Sequence, residues 1–159
     1  LIRKEIFWLI GTFGIVLVLT LVLLGPDAFK TDTTFDINIY DTYFVIANIQ
    51  MVPLLGVFTF FIVYLFRTIK RNFKNYTANV ILIIATILFI IVLGKTIGIL
   101  DFFSNPSSNA EFKEDKNPVG DALSILSKIM FILQTGLLVL LAYCGFKTGQ
   151  NYRAEKNNP

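Results

Sequence analysis

The chain has no histidine, one cysteine, one tryptophan and few charges: Asp, Glu, Lys and Arg make up only 16% of its 159 residues. Without an imidazole it supplies no histidine to bind haem iron or copper, and none for a proton relay. A lone Cys144 excludes an internal disulfide and leaves cysteine chemistry without support. The scarcity of charge, with 55% hydrophobic residues and a mean hydropathy of +0.68, excludes an ordinary soluble domain.

What is present is apolar sequence in long runs. Four stretches, 6–24, 43–66, 80–100 and 122–146, each approach the roughly 20 residues that a helix needs to cross a bilayer. They consume most of the chain, so no soluble catalytic domain fits. The first run follows Arg3 and Lys4 as a signal peptide would. It is long, however, and Pro26 follows it without a small-x-small cleavage pattern, so a retained helix is expected. A chain that begins with Leu rather than Met is expected to lack a few N-terminal residues.

The basic residues sort by membrane side. With the N-terminus inside, Arg3, Lys4, Arg67, Lys70, Arg71, Lys74, Lys147, Arg153 and Lys156 lie in the cytoplasm, and Lys30, Lys113 and Lys116 lie outside. The expected architecture is therefore an all-α membrane protein: one domain of four transmembrane helices with short loops, both termini inside, and a polar, frayed cytoplasmic tail over 147–159. A pI near 9.0 does not point to nucleic acid, because the cations are not gathered into a patch with interleaved aromatics. The loop 67–77 instead suits anionic lipid headgroups. Trp8 and Tyr143 fall where an inner aromatic belt belongs. Asn75-Tyr76-Thr77 matches a glycosylation sequon, but this topology puts it inside.

Four features of the walk along the chain carry structural expectations. Gly11 and Gly14, on neighbouring turns of the first helix, let another helix approach closely. Phe35, Ile37 and Ile39 alternate with polar residues, which reads as a short extended segment on the membrane surface. Pro53 removes an amide near the middle of the second helix and predicts a bend there. The outer loop 101–121, with Asn105-Pro106 and Asn117-Pro118, reads as a surface loop.

Residues 36–58 read Asp36-Ile-Asn-Ile-Tyr40-Asp41-Thr-Tyr-Phe-Val-Ile-Ala-Asn48-Ile-Gln50-Met-Val-Pro53-Leu-Leu-Gly-Val-Phe58. This segment resembles the tenth transmembrane helix of the catalytic subunit of haem–copper oxidases, whose motif runs hydrophobic-His-Asp-Thr-Tyr-Phe/Tyr-Val-Val-Ala-His-Phe-His. The three family histidines fall on Tyr40, Asn48 and Gln50. The resemblance implies a helix running from the outer face inward, and a retained carboxylate, Asp41, beside what is in the family a non-redox metal site. It does not extend to the other three helices.

Asn48 and Gln50 carry amides, which bond hydrogen donors and acceptors but do not ligate haem. They either bond across neighbouring helices or clamp a quinone, a lipid headgroup or a partner's backbone. Lys95, Lys128 and Gln134 are the other notable polar residues in the spans. The two lysines lie near outer helix ends, where they either snorkel or reach Asp41, Asp101 or Asp121, or else line a transport path with Gln134. The reading that follows is a non-catalytic accessory subunit without metal or cofactor, packed against other integral membrane subunits, with Asp41, Asn48, Gln50, Pro53, Lys95, Lys128 and Gln134 as candidate contacts. The resemblance makes a respiratory, oxidase-containing assembly the expected partner, in a bacterial inner membrane or, alternatively, a mitochondrial one. A small transporter or channel, and a quinone- or lipid-binding protein, are the alternatives.

Overall fold

A computed structural model describes residues 2–30, 32–39, 42–104 and 118–157. The chain is a four-helix membrane protein with one small hairpin. Helix α1 spans Ile2–Leu24, α2 Asn48–Lys70, α3 Tyr76–Ser104 and α4 Pro118–Asn157, while strands β1 (Thr34–Ile39) and β2 (Thr42–Ala47) sit between α1 and α2. All four helices are long and apolar enough to cross a membrane. Of the expected loop 101–121, the ends 101–104 and 118–121 are helical, while residues 105–117, like Tyr40 and the candidate Asp41, lie outside the described residues.

Each helix packs on its sequence neighbour, α1 on α2, α2 on α3 and α3 on α4. The core forms from α2, α3 and α4: Phe61, Tyr64, Ala78, Leu82, Ala85, Phe89, Leu93, Leu137 and Cys144. Small residues on α3 let its neighbours close in, and Phe89 sits between Phe58 and Phe61 at 5.7 and 5.2 Å. Across α3 and α4, Gln134 Nε2 donates to the carbonyl of Ile90 at 3.2 Å. Gly94 makes room for it, since a Cβ there would lie 3.2 Å from that nitrogen. Helix α1 is more loosely held, with Phe13 edge-on to Phe60 at 5.1 Å as its main ring contact. The close approach expected at Gly11 and Gly14 does not occur within the described residues: nothing lies within 4 Å of a Cβ built at either.

The second span begins later than its apolar run. Residues 42–47 are extended and pair antiparallel with 34–39, in a register from Thr34 opposite Ala47 to Ile39 opposite Thr42. The alternation at 35–39 correctly marked a strand, and Thr-Tyr-Phe-Val-Ile is the β-branched and aromatic composition that answers it. An unbroken apolar run cannot by itself separate strand from helix. The helix expected across residues 36–58 is thus strand at 36–39 and 42–47, and helix only from Asn48 onward. Because α2 starts at Asn48, Pro53 falls in its second turn rather than near its middle, exposed, inside a continuous helix.

The expected frayed tail is helical as far as Asn157, within an α4 of 40 residues. At 1.5 Å per residue that is about 60 Å, roughly twice a bilayer's hydrocarbon thickness, so the polar end projects beyond it. Asn151 gives this projection a purpose by donating to the Phe73 carbonyl at 2.7 Å.

The turn between α2 and α3 is the most tightly built part of the backbone. Asn72 and Phe73 both hold positive φ, 49° and 59°, a region that costs non-glycine residues about 1–3 kcal/mol each. Four contacts hold Phe73 there. Its amide donates to the Thr68 carbonyl at 3.1 Å, its carbonyl accepts from Asn79 and Asn151, both at 2.7 Å, and its buried ring meets Tyr143 edge-on at 5.4 Å. Asn79→Ala is expected to destabilise the protein by about 1–2 kcal/mol, whereas Asn72→Gly, which relieves a positive φ, leaves stability unchanged or raised. Detergent-denaturation titrations followed by circular dichroism measure both.

Candidate functional site

The polar groups of this membrane protein concentrate where α1 begins, α2 ends and α3 begins. Glu5, one turn inside α1, is 4% exposed. Its Oε1 accepts from Arg67 Nη2 on α2 and from Asn75 Nδ2 at 2.5 Å, and Arg71 Nη1 stands 3.9 Å away. A carboxylate removed from water needs such partners, because an unpaired buried charge costs several kcal/mol. Trp8, one turn further along α1, lies over the Arg67 guanidinium at 4.7 Å from its centroid and adds a cation–π attraction.

Asn75 does two jobs at once. It precedes α3, and its Oδ1 accepts from the Ala78 amide at 3.4 Å in the manner of an N-cap, while its Nδ2 binds Glu5. With that nitrogen engaged and the residue buried, the sequon asparagine is not presented to solvent. Sequence reasoning overlooked Glu5. The signal was present: apart from Glu155 in the tail, it is the one acid at the end of the chain's spans where the cations collect.

The cluster does not exhaust its own charge. Arg67, also buried, leaves Nε and Nη1 without a hydrogen-bond partner, and Glu5 leaves Oε2 so. Arg67, Lys70 and Arg71 together line a groove of ≈ 580 Å³ between α1 and α2, whose remaining walls are Trp8, Ile62, Val63 and Phe66. A second groove, of ≈ 570 Å³, opens on the other side of the α2–α3 turn, among Ile69, Lys74, Tyr143 and Lys147. Among the described residues no group of three His, Cys, Asp or Glu side chains is placed to hold a metal ion.

The sequence-nominated residues scatter rather than converge. Asn48 is buried as the first residue of α2, but it binds no neighbouring helix. Its amide N–H donates to the Thr33 carbonyl at 3.0 Å and its Nδ2 to Thr33 Oγ1 at 3.2 Å. Thr33 Oγ1 in turn contacts the carbonyls of Asp27 and Lys30, so Asn48 ties the hairpin's base to the turn that follows α1. Gln50 is exposed, as the 200° separation of residues two apart on a helix dictates. Lys95 and Lys128 are exposed and form no ion pair among the described residues. Lys95 lines a shallow cleft with Gly98, Ile99, Phe102 and Phe103. Asp101 instead accepts from Ser127 Oγ at 2.5 Å, joining α3 to α4. Gln134 is the one candidate whose expected helix-to-helix bond is present.

No protein-family model matches the chain, and neither a curated protein nor a solved structure matches it. The cluster's importance must therefore be weighed on its own physics. Glu5→Leu, which strands Arg67, is expected to destabilise the protein by about 3–5 kcal/mol. The double variant Glu5→Leu/Arg67→Leu should recover most of that loss, because it removes both charges together. Denaturation of the single and double variants in the same detergent gives the comparison.

Proposed function

We propose that this chain is a non-catalytic integral membrane subunit that packs against other integral membrane subunits in a larger inner-membrane assembly. The hairpin carries this reading. Two strands alone are marginal in water, and among the described residues neither outer edge of this pair meets a further strand. Phe35 and Val45, which fall on opposite faces of the hairpin by its register, are both exposed. Unpaired edges flanked by apolar side chains are the features that a neighbouring polypeptide covers. The open surface at Gly11 and Gly14 on α1 supports the same reading, since a helix smoothed for close approach has no neighbour there among the described residues.

The resemblance of residues 36–58 to an oxidase helix makes a respiratory, oxidase-containing assembly the favoured partner, in a bacterial inner membrane or else a mitochondrial one. Both the hairpin and the first turns of α2 belong to that segment. The basic end of the bundle then faces the cytoplasm, where the turn 67–77 meets anionic headgroups.

A photo-crosslinking residue placed at Phe35 or Val45 in native membranes tests the proposal. The expected outcome is a crosslink to integral membrane chains, together with stoichiometric co-purification with haem-containing subunits. A protein that purifies alone, monodisperse and uncrosslinked from both positions would overturn it.

A further inference from the structure

We infer that the groove between α1 and α2 at the basic end is a binding site for one anionic phospholipid. The inference rests on how the groove's two halves are stacked. Ile62, Val63 and Phe66 form its apolar wall on α2, and Arg67, Lys70 and Arg71 continue the same face one and two turns later. Trp8 closes the opposite side from α1. An acyl chain laid against Ile62, Val63 and Phe66 therefore places its headgroup phosphate among three cations, at the level where the helix leaves the apolar layer.

Charge decides which lipid fits. Three cations line the groove, and Glu5 is the one described acid in contact with them. Glu5 takes up Arg67 Nη2 alone, while Nε and Nη1 of this nine-tenths buried guanidinium have no partner. Lys70 is exposed and forms no ion pair among the described residues. A zwitterionic headgroup brings no net charge to balance that surplus, whereas an anionic one does. The site sharpens the general headgroup contact proposed for residues 67–77. It needs only the chain and a bilayer, whatever assembly the chain joins.

The lone tryptophan reports on the site directly, since Trp8 is both the only indole in the chain and a wall of the groove. The purified protein is placed in phosphatidylcholine nanodiscs containing increasing fractions of either brominated phosphatidylglycerol or brominated phosphatidylcholine, and Trp8 emission is followed. Half-quenching is expected at an about tenfold lower fraction of the brominated phosphatidylglycerol. Lys70→Gln/Arg71→Gln should abolish the preference, while Lys74→Gln/Lys147→Gln, which removes as much charge from the other groove, should preserve it. High salt should weaken the preference in the unaltered protein, which covers the case of a variant that fails to fold. Equal quenching by the two lipids would overturn the site. So would a preference lost equally in both double variants, which would leave only a general attraction between this end of the protein and anionic membranes.

Discussion

A carboxylate carried into the first turns of a membrane helix must find positive charge or be expelled, and Glu5 resolves that demand by drawing three residues from two other parts of the chain to itself. Arg67 and Arg71 come from the end of α2, and Asn75 from the start of α3. Because α1 contacts α2 mainly through ring and aliphatic surface elsewhere, this is, among the described residues, its one hydrogen-bonded attachment to the bundle. Dispersion contacts along α1 would permit it to slide or rotate; a buried ion pair does not, since any displacement strands a charge. The order of the basic end follows from this single constraint.

The neighbouring turn is ordered by a related device. A phenylalanine and an asparagine held at positive φ would relax if they were merely exposed. Here the carbonyl of Phe73 is gripped by amides from α3 and α4 at once. The projecting end of α4 is thereby part of the fold, and Asn75 and Asn79 on either side of the first turn of α3 connect the turn to the ion cluster. One end of the molecule is thus specified by directional polar contacts. The membrane interior between is specified by generic packing of small residues against rings.

The opposite end is specified differently. Asn48, at the start of α2, clamps a hairpin to the turn after α1. Donating from both its backbone and its side chain, it serves geometry. The consequence is a hairpin whose base is fixed but whose edges and exposed apolar side chains are not covered. The proposed subunit contact and the proposed lipid site then lie at opposite ends, the first where the described chain leaves strand edges unpaired and the second where it leaves charge uncompensated.

Hydropathy alone settled that four helices of this chain suit a membrane, because the cost of leaving that much apolar surface in water depends on composition and run length rather than on contacts. The alternation at 35–39 likewise disclosed β1. Local sequence could not show where α2 begins, since residues 43–47 are apolar enough for a helix and only the availability of β1 as a partner makes them a strand. Nor could it distinguish Arg67, buried against Glu5 some sixty residues away, from the exposed Lys70 beside it. Membrane insertion is an additive, one-dimensional property of the chain. Pairing of charges and strands requires distant segments to meet, and it was decided in three dimensions.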